Sequence, residues 1–209
     1  MATATTRNPT TDESVAPPTP AFRPYLWTAD RYLRLAESGV FDGKDRVFLW
    51  EGALVEKMTI GRPHTIALTR LQRLLDRLMP DGFDVEQEQP MELSAASVPE
   101  PDLKVVRGRL EDYPQRPPTA KDVSLIIEVA DSSLSEDARS VLRAYARADV
   151  PVYWVVNIPK NRIDVHTGPT GPNETPTYTE HRSYGPGDEA PVVLDGREIG
   201  RVSVADVLP

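Results

Sequence analysis

The run from Asp122 to Ala130, DVSLIIEVA, constrains this chain more than any other stretch, because its only interior charge is Glu128. Branched aliphatic residues dominate it, which predicts a strand in the middle of a sheet with both faces covered. A helical pattern follows to about Ala148, opened by Ser133 and Glu136 at the spacing of a capping box and burying Ala138, Val141, Leu142 and Tyr145. Pro151 to Asn157, PVYWVVN, reads as a second buried strand. Strand, helix and strand in this order predict a βαβ unit, with the two strands parallel and the crossover right-handed.

The flanking segments supply the remaining layers. Thr28 to Ser38 predicts a short helix capped by Thr28 and stopped by Gly39, with Tyr32, Leu35 and Ala36 on its buried side. Arg46 to Met58 offers two apolar runs joined at Glu51-Gly52, the pattern of a hairpin. His64 to Met79 carries Leu68, Leu71, Leu75 and Leu78 at helical spacing, and it is the clearest amphipathic helix. Strands are predicted over Phe83 to Leu93 and Val98 to Val106, and a meander of edge strands from Asn161. Trp27, Trp50 and Trp154 sit in apolar contexts and read as core. The expected fold class is α/β in the broad sense, an α+β mixed sheet flanked by helices.

Composition sets the outer bounds. Residues 1–22 are rich in threonine and proline and nearly devoid of large apolar side chains, so a disordered tail is expected there, with one domain over 23–209. The absence of cysteine excludes disulfides, thiolate metal sites and a thiol nucleophile, and fits the cytoplasm. No apolar run approaches the ~18 residues of a membrane span. A net charge of −8 gives no global attraction to nucleic acid, so any such contact must rest on a local basic patch.

Two carboxylates stand out. Period two along the strand through Glu100, Asp102 and Lys104 places these three on one face. Glu128 projects from an apolar strand, where an ionised carboxylate without a partner is costly. A divalent cation between Asp102 and Glu128 satisfies both. The alternative is an exposed edge for Asp102 and a buried ion pair of Glu128 with an arginine. Oxygen ligands suit Mg²⁺ or Mn²⁺, which can polarise a phosphodiester and activate water. His64 at a helix start, with Arg70, Arg73 and Arg77 along one side of that helix, could touch phosphates, although a solvated arginine face has the same pattern.

Pro101-Asp102, then Glu128-Val129 closing an apolar strand, then a helix ending in Tyr145-Ala146 before Val150-Pro151-Val152-Tyr153-Trp154, resembles the Uma-type family of "putative restriction endonucleases" within the PD-(D/E)XK nuclease superfamily. Glu51-Gly52-Ala53-Leu54-Val55-Glu56 and Pro63-His64 fit the same pattern, and the likeness runs from about residue 25 to the C-terminus. It implies a restriction-endonuclease-like core and hydrolysis of DNA phosphodiesters with Mg²⁺ or Mn²⁺. Asp102 and Glu128 match the metal-binding carboxylates, with the backbone carbonyl of Val129 as the third ligand.

Two positions depart from the family. Its lysine, four residues before the helix tyrosine, falls on Val141, and the acid of its first strand falls on Phe48, leaving Glu51 as a second acid. Lys104 is the nearest substitute lysine by strand phase. The expected partner is DNA, met locally by a homodimer without membrane contact. The competing expectation is a degenerate member that keeps the fold as a nucleic-acid-binding or dimerising module.

Overall fold

The structure is a computed structural model that describes residues 23–41, 46–57, 61–131 and 136–209, with the side chains of 136–138 left aside. The expected tail and the Ser133 end of the capping box lie outside these residues. In chain order the elements are α1 (Ala29–Glu37), β1 (Val47–Trp50), β2 (Ala53–Glu56), α2 (Arg62–Leu78), β3 (Phe83–Gln87), β4 (Leu103–Arg107), β5 (Val123–Ala130), α3 (Glu136–Arg147), β6 (Val152–Asn157), β7 (Arg162–Pro169), β8 (Tyr178–Tyr184), β9 (Glu189–Leu194), β10 (Arg197–Ser203) and α4 (Val204–Val207).

Six strands form one sheet in the order β3-β4-β5-β6-β7-β8. Every neighbouring pair is antiparallel except β5 and β6, which run parallel, as the βαβ pattern requires. One face packs Leu103, Val105, Leu125, Ile127 and Trp154 against Leu68, Leu71 and Leu75 of α2, with α4 and β9–β10 in the same layer. The opposite face packs Val106, Ile126, Tyr153 and Val155 against Tyr145 and Ala146 of α3. A small third cluster of Ala29, Tyr32, Leu49 and Val98 anchors α1 to β1. No helix among the described residues is long and apolar enough to cross a membrane.

Local chemistry explains the boundaries. Thr28 caps α1 by accepting from the Arg31 amide at 3.4 Å. Trp50 pairs with Ala53, so Glu51 and Gly52 alone make the β1–β2 turn, and both have positive φ, 47° and 83°, the primed geometry of a two-residue hairpin. Two expectations are corrected. The C-terminal segment is not all edge meander, since β9 and β10 form a separate two-stranded sheet that packs into the core. The strand expected from Val98 begins only at Leu103, because Pro99 and Pro101 lack the amide a ladder needs.

Lys104 is a third correction. It is 0% exposed, and its Nζ lies 2.6 Å from Glu86 Oε2 on β3 and donates to the Gln89 carbonyl at 2.8 Å. Burial pulls the ammonium below its usual range, opposed by Glu86. The two groups form a buried ion pair between β4 and β3, with the Glu86 side chain 5% exposed. Strand phase did put Lys104 on the side of the sheet that holds Glu128, but the ammonium turns toward β3. In this position it ties β4 to β3. Glu86→Gln should cost about 3 kcal/mol or more by leaving a buried ammonium unpaired, while Lys104→Met combined with Glu86→Leu should be near neutral or stabilising. Denaturant unfolding of the two variants checks this, and equal losses would contradict it.

Candidate active site

Where the β4–β5 ladder ends, at the pair Leu103 and Ile127, the chain brings Asp102 and Glu128 together. The Asp102 amide lies 3.4 Å from Glu128 Oε2, and the Val129 amide donates to Asp102 Oδ2 at 2.8 Å. The proline-interrupted segment cannot continue the ladder, so the Asp102 side chain satisfies an amide that would otherwise be orphaned. Glu128 Oε1 accepts from the Tyr145 hydroxyl of α3 at 2.8 Å. Among the described residues Glu128 forms no ion pair with an arginine, and its hydrogen-bond partners are Tyr145 and the Asp102 amide.

His64 belongs to this cluster. It is 3% exposed, with Nε2 3.0 Å from Asp102 Oδ2 and no partner for Nδ1. That placement corrects the expected phosphate contact: the imidazole holds Asp102 from behind and is closed to a ligand. Residues α2 contributes further along are also elsewhere. Arg70 donates to the Leu208 carbonyl and Arg73 is exposed, both on the helix that packs against the far face of the sheet. Glu51, expected as a second acid, sits at the exposed hairpin tip with Oε1 3.6 Å from Arg147. The primed turn aims it at α3 and away from the carboxylate pair.

A cavity of about 540 Å³ opens over Glu128. The β1–β2 hairpin forms one wall with Phe48, Trp50 and Val55, α3 the other with Val141 and Tyr145, and Tyr153 and Val155 of β6 line the floor. Phe48 and Val141, the two departures from the family pattern, thus line the same space and make it apolar. Sequence reasoning overlooked Lys57. It follows β2 in phase with Val55, which is the signal that could have found it, and it lines this cavity with Nζ 3.5 Å from Asp102 Oδ1.

The electrostatics follow from crowding two acids. Burial and then the charge of Asp102 push Glu128 up to about 8, against the Tyr145 hydrogen bond and Lys57. Burial also acts on Asp102, but the hydrogen bond and charge of His64, the Val129 amide and Lys57 together hold it below the usual range. Among the described residues no group of three or more His, Cys, Asp or Glu side chains is placed to hold a metal ion. The pair nevertheless fits a hydrated hard cation, which needs only one or two carboxylates and keeps several waters, since the second acid resists ionising without added positive charge.

The fold is a nuclease-like one, a mixed sheet flanked by helices. The chain belongs to the Uma2 family, described as "Putative restriction endonuclease", whose profile matches residues 29–201. It is similar in structure to a crystal structure described as "a putative nuclease belonging to DUF820" from Anabaena variabilis ATCC 29413, with a TM-score of 0.61 and 13% identity over 87% of this chain and 97% of that one. That likeness concerns the fold. No curated protein matches the chain in sequence.

The raised Glu128 carboxyl has a stability consequence. A carboxyl raised in the folded state stabilises the fold fully below its unfolded value and loses that contribution as pH rises through its folded value, so metal-free protein should weaken between about 4.5 and about 8. Asp102, shifted down, acts oppositely and below its ordinary value of 3.8, outside that window. Glu128→Gln should flatten the slope and raise the melting temperature more at the alkaline end, by roughly 2–4 °C per kcal/mol recovered. Equal gains at both ends of the window would contradict the assignment.

Proposed function

We propose that this protein is a divalent-metal-dependent endonuclease that hydrolyses phosphodiester bonds in DNA. The observation that carries this reading is the interlocked pair Asp102 and Glu128, with Glu128 lining a cavity, in a chain of the Uma2 family. Asp102, Glu128 and the Val129 carbonyl would hold Mg²⁺ or Mn²⁺. When bound, the ion would supply Lewis acidity toward the phosphoryl oxygens and an activated water. The chain's own contribution is positional. His64 and the Val129 amide hold Asp102 Oδ2, Lys57 Nζ lies 3.5 Å from Asp102 Oδ1, and Tyr145, whose hydroxyl burial keeps protonated, orients Glu128.

Phosphate contacts are best supported on α3. Arg139, Arg143 and Arg147 follow one exposed side of this helix around a depression that shares Ser140 with the main cavity. Such a stripe is the local basic patch that an acidic protein needs, and it replaces Arg70 and Arg73 in the proposal. The proposed homodimer has an open edge at β8, where every residue between Tyr178 and Tyr184 is exposed. Absence of cysteine supports a reducing compartment such as the cytoplasm.

A second reading, a degenerate nucleic-acid-binding module, is favoured by the apolar wall of Phe48 and Val141. Cleavage separates the two. Asp102→Asn and Glu128→Gln should each abolish Mg²⁺- or Mn²⁺-dependent nicking of supercoiled plasmid while the protein remains folded, and wild-type activity in either would refute the metal site. Arg139→Ala with Arg143→Ala should weaken DNA binding measured in Ca²⁺ and lower the slope of log affinity against log salt by about 2. An unchanged slope would move the DNA elsewhere.

A further inference from the structure

The family lysine is missing from α3, yet an ammonium stands at the carboxylate pair. We infer that Lys57 serves as the lysine of this site, entering from the hairpin wall opposite Val141, an inference that rests on the nuclease reading. Its Nζ is held by three groups from two segments: it lies 3.5 Å from Asp102 Oδ1, and it donates to Glu88 Oε1 at 3.1 Å and to the Glu100 carbonyl at 3.2 Å. The side chain is only 14% exposed. Fixing a long, strongly hydrated cation in one place costs rotamer freedom and hydration, and a surface lysine incurs neither cost.

A purely structural tie explains this placement less well. Glu88 already receives Arg46 at 2.6 Å, and the hairpin is anchored independently by Leu49 in the α1 cluster and by the Val98 amide bonded to the Leu49 carbonyl at 2.8 Å. Among the described residues, what Lys57 adds beyond these ties is an ammonium 3.5 Å from Asp102 Oδ1 on a side chain that lines the same cavity as Val141 and Glu128. Lys104 cannot do this from its buried pairing with Glu86.

The assigned role is electrostatic. As the oxygen of water bonds to phosphorus and one P–O ester bond breaks, the water's proton leaves to solvent and the departing oxygen gains a proton from solvent. Lys57 takes no part in these proton transfers; its side chain contacts the phosphoryl group or the attacking water and stabilises the negative charge that builds on the phosphoryl oxygens. No oxidant or further reactant is involved.

The test compares wild type, Lys57→Gln, Lys57→Gln with Val141→Lys, and Asp102→Asn, in single-turnover nicking of supercoiled plasmid and in calorimetry with Mn²⁺. Lys57→Gln should lower turnover by about 10²-fold or more. It should also tighten Mn²⁺ binding, since a competing cation has left Asp102, and this split is one that a merely structural lysine would not produce. Adding Val141→Lys should recover at least about tenfold of the lost turnover by returning an ammonium to the cavity from the other wall, without restoring the contacts to Glu88 and Glu100. Wild-type turnover in Lys57→Gln beside an inactive Asp102→Asn overturns the role of Lys57 and leaves the nuclease reading standing. Weakened Mn²⁺ binding in Lys57→Gln, or no recovery in the folded double variant, also overturns it. A wild-type protein that binds Mn²⁺ but never nicks overturns both. If Lys57→Gln does not fold, Lys57→Arg is measured instead: at least tenfold slower nicking with Mn²⁺ still bound supports the role, and unchanged nicking rejects it.

Discussion

The hydrogen bond from the Val129 amide to Asp102 is the contact on which the rest of the site depends. It occurs where the β4–β5 ladder stops, because Pro99 and Pro101 remove the amides that would have continued it. A side chain takes over from the backbone at that point, and it is a carboxylate. Its charge then draws the N-terminal turn of α2 through His64 and the end of β2 through Lys57, so that two elements distant in sequence are docked on one residue. Breaking this contact would loosen the strand end and the hold of Asp102 on His64 and Lys57, while the hairpin keeps its own anchor through Leu49 and Val98.

Glu128 turns that clasp into a site. A single acid with an amide, an imidazole and an ammonium around it would be a satisfied structural group. A second acid one residue beyond the last β4–β5 pair, bonded to a buried tyrosine and pushed up to about 8, leaves the cluster short of positive charge. The fold holds the pair in place because β5 is covered on both faces and cannot turn its glutamate to solvent. Electrostatic tension of this kind is common where a cation or a phosphoryl group is to be received.

Around the pair the walls have changed chemistry. Phe48 and Val141 stand where the family pattern has an acid and a lysine, and both face the same cavity, so the two departures form one change in surface and not two scattered losses. Lys57 lies on the same wall as Phe48 and keeps a positive charge within 3.5 Å of Asp102. A positive charge thus stands beside the carboxylates while the space above them is largely apolar.

Much of this architecture was legible in the chain. The apolar run ending in Glu128-Val129, the helical pattern to Tyr145 and the run PVYWVVN determine a parallel strand pair, because only a sheet interior accommodates such strands and only a crossover joins them. Glu51-Gly52 determined its own turn through the positive φ both residues adopt. The pairing of Asp102 with Glu128 followed from strand order and register. What periodicity could not decide was where long side chains end: Lys104 and Lys57 each alternate correctly, but one turns to Glu86 on β3 and the other to Asp102, since their partners come from segments whose approach is set by packing. His64 likewise reads as a helix-start residue until α2 docks and buries it behind Asp102. Local sequence determined the elements through backbone preference and apolar period, and the tertiary structure alone decided which charges meet, because a charge is placed by every element that packs around it.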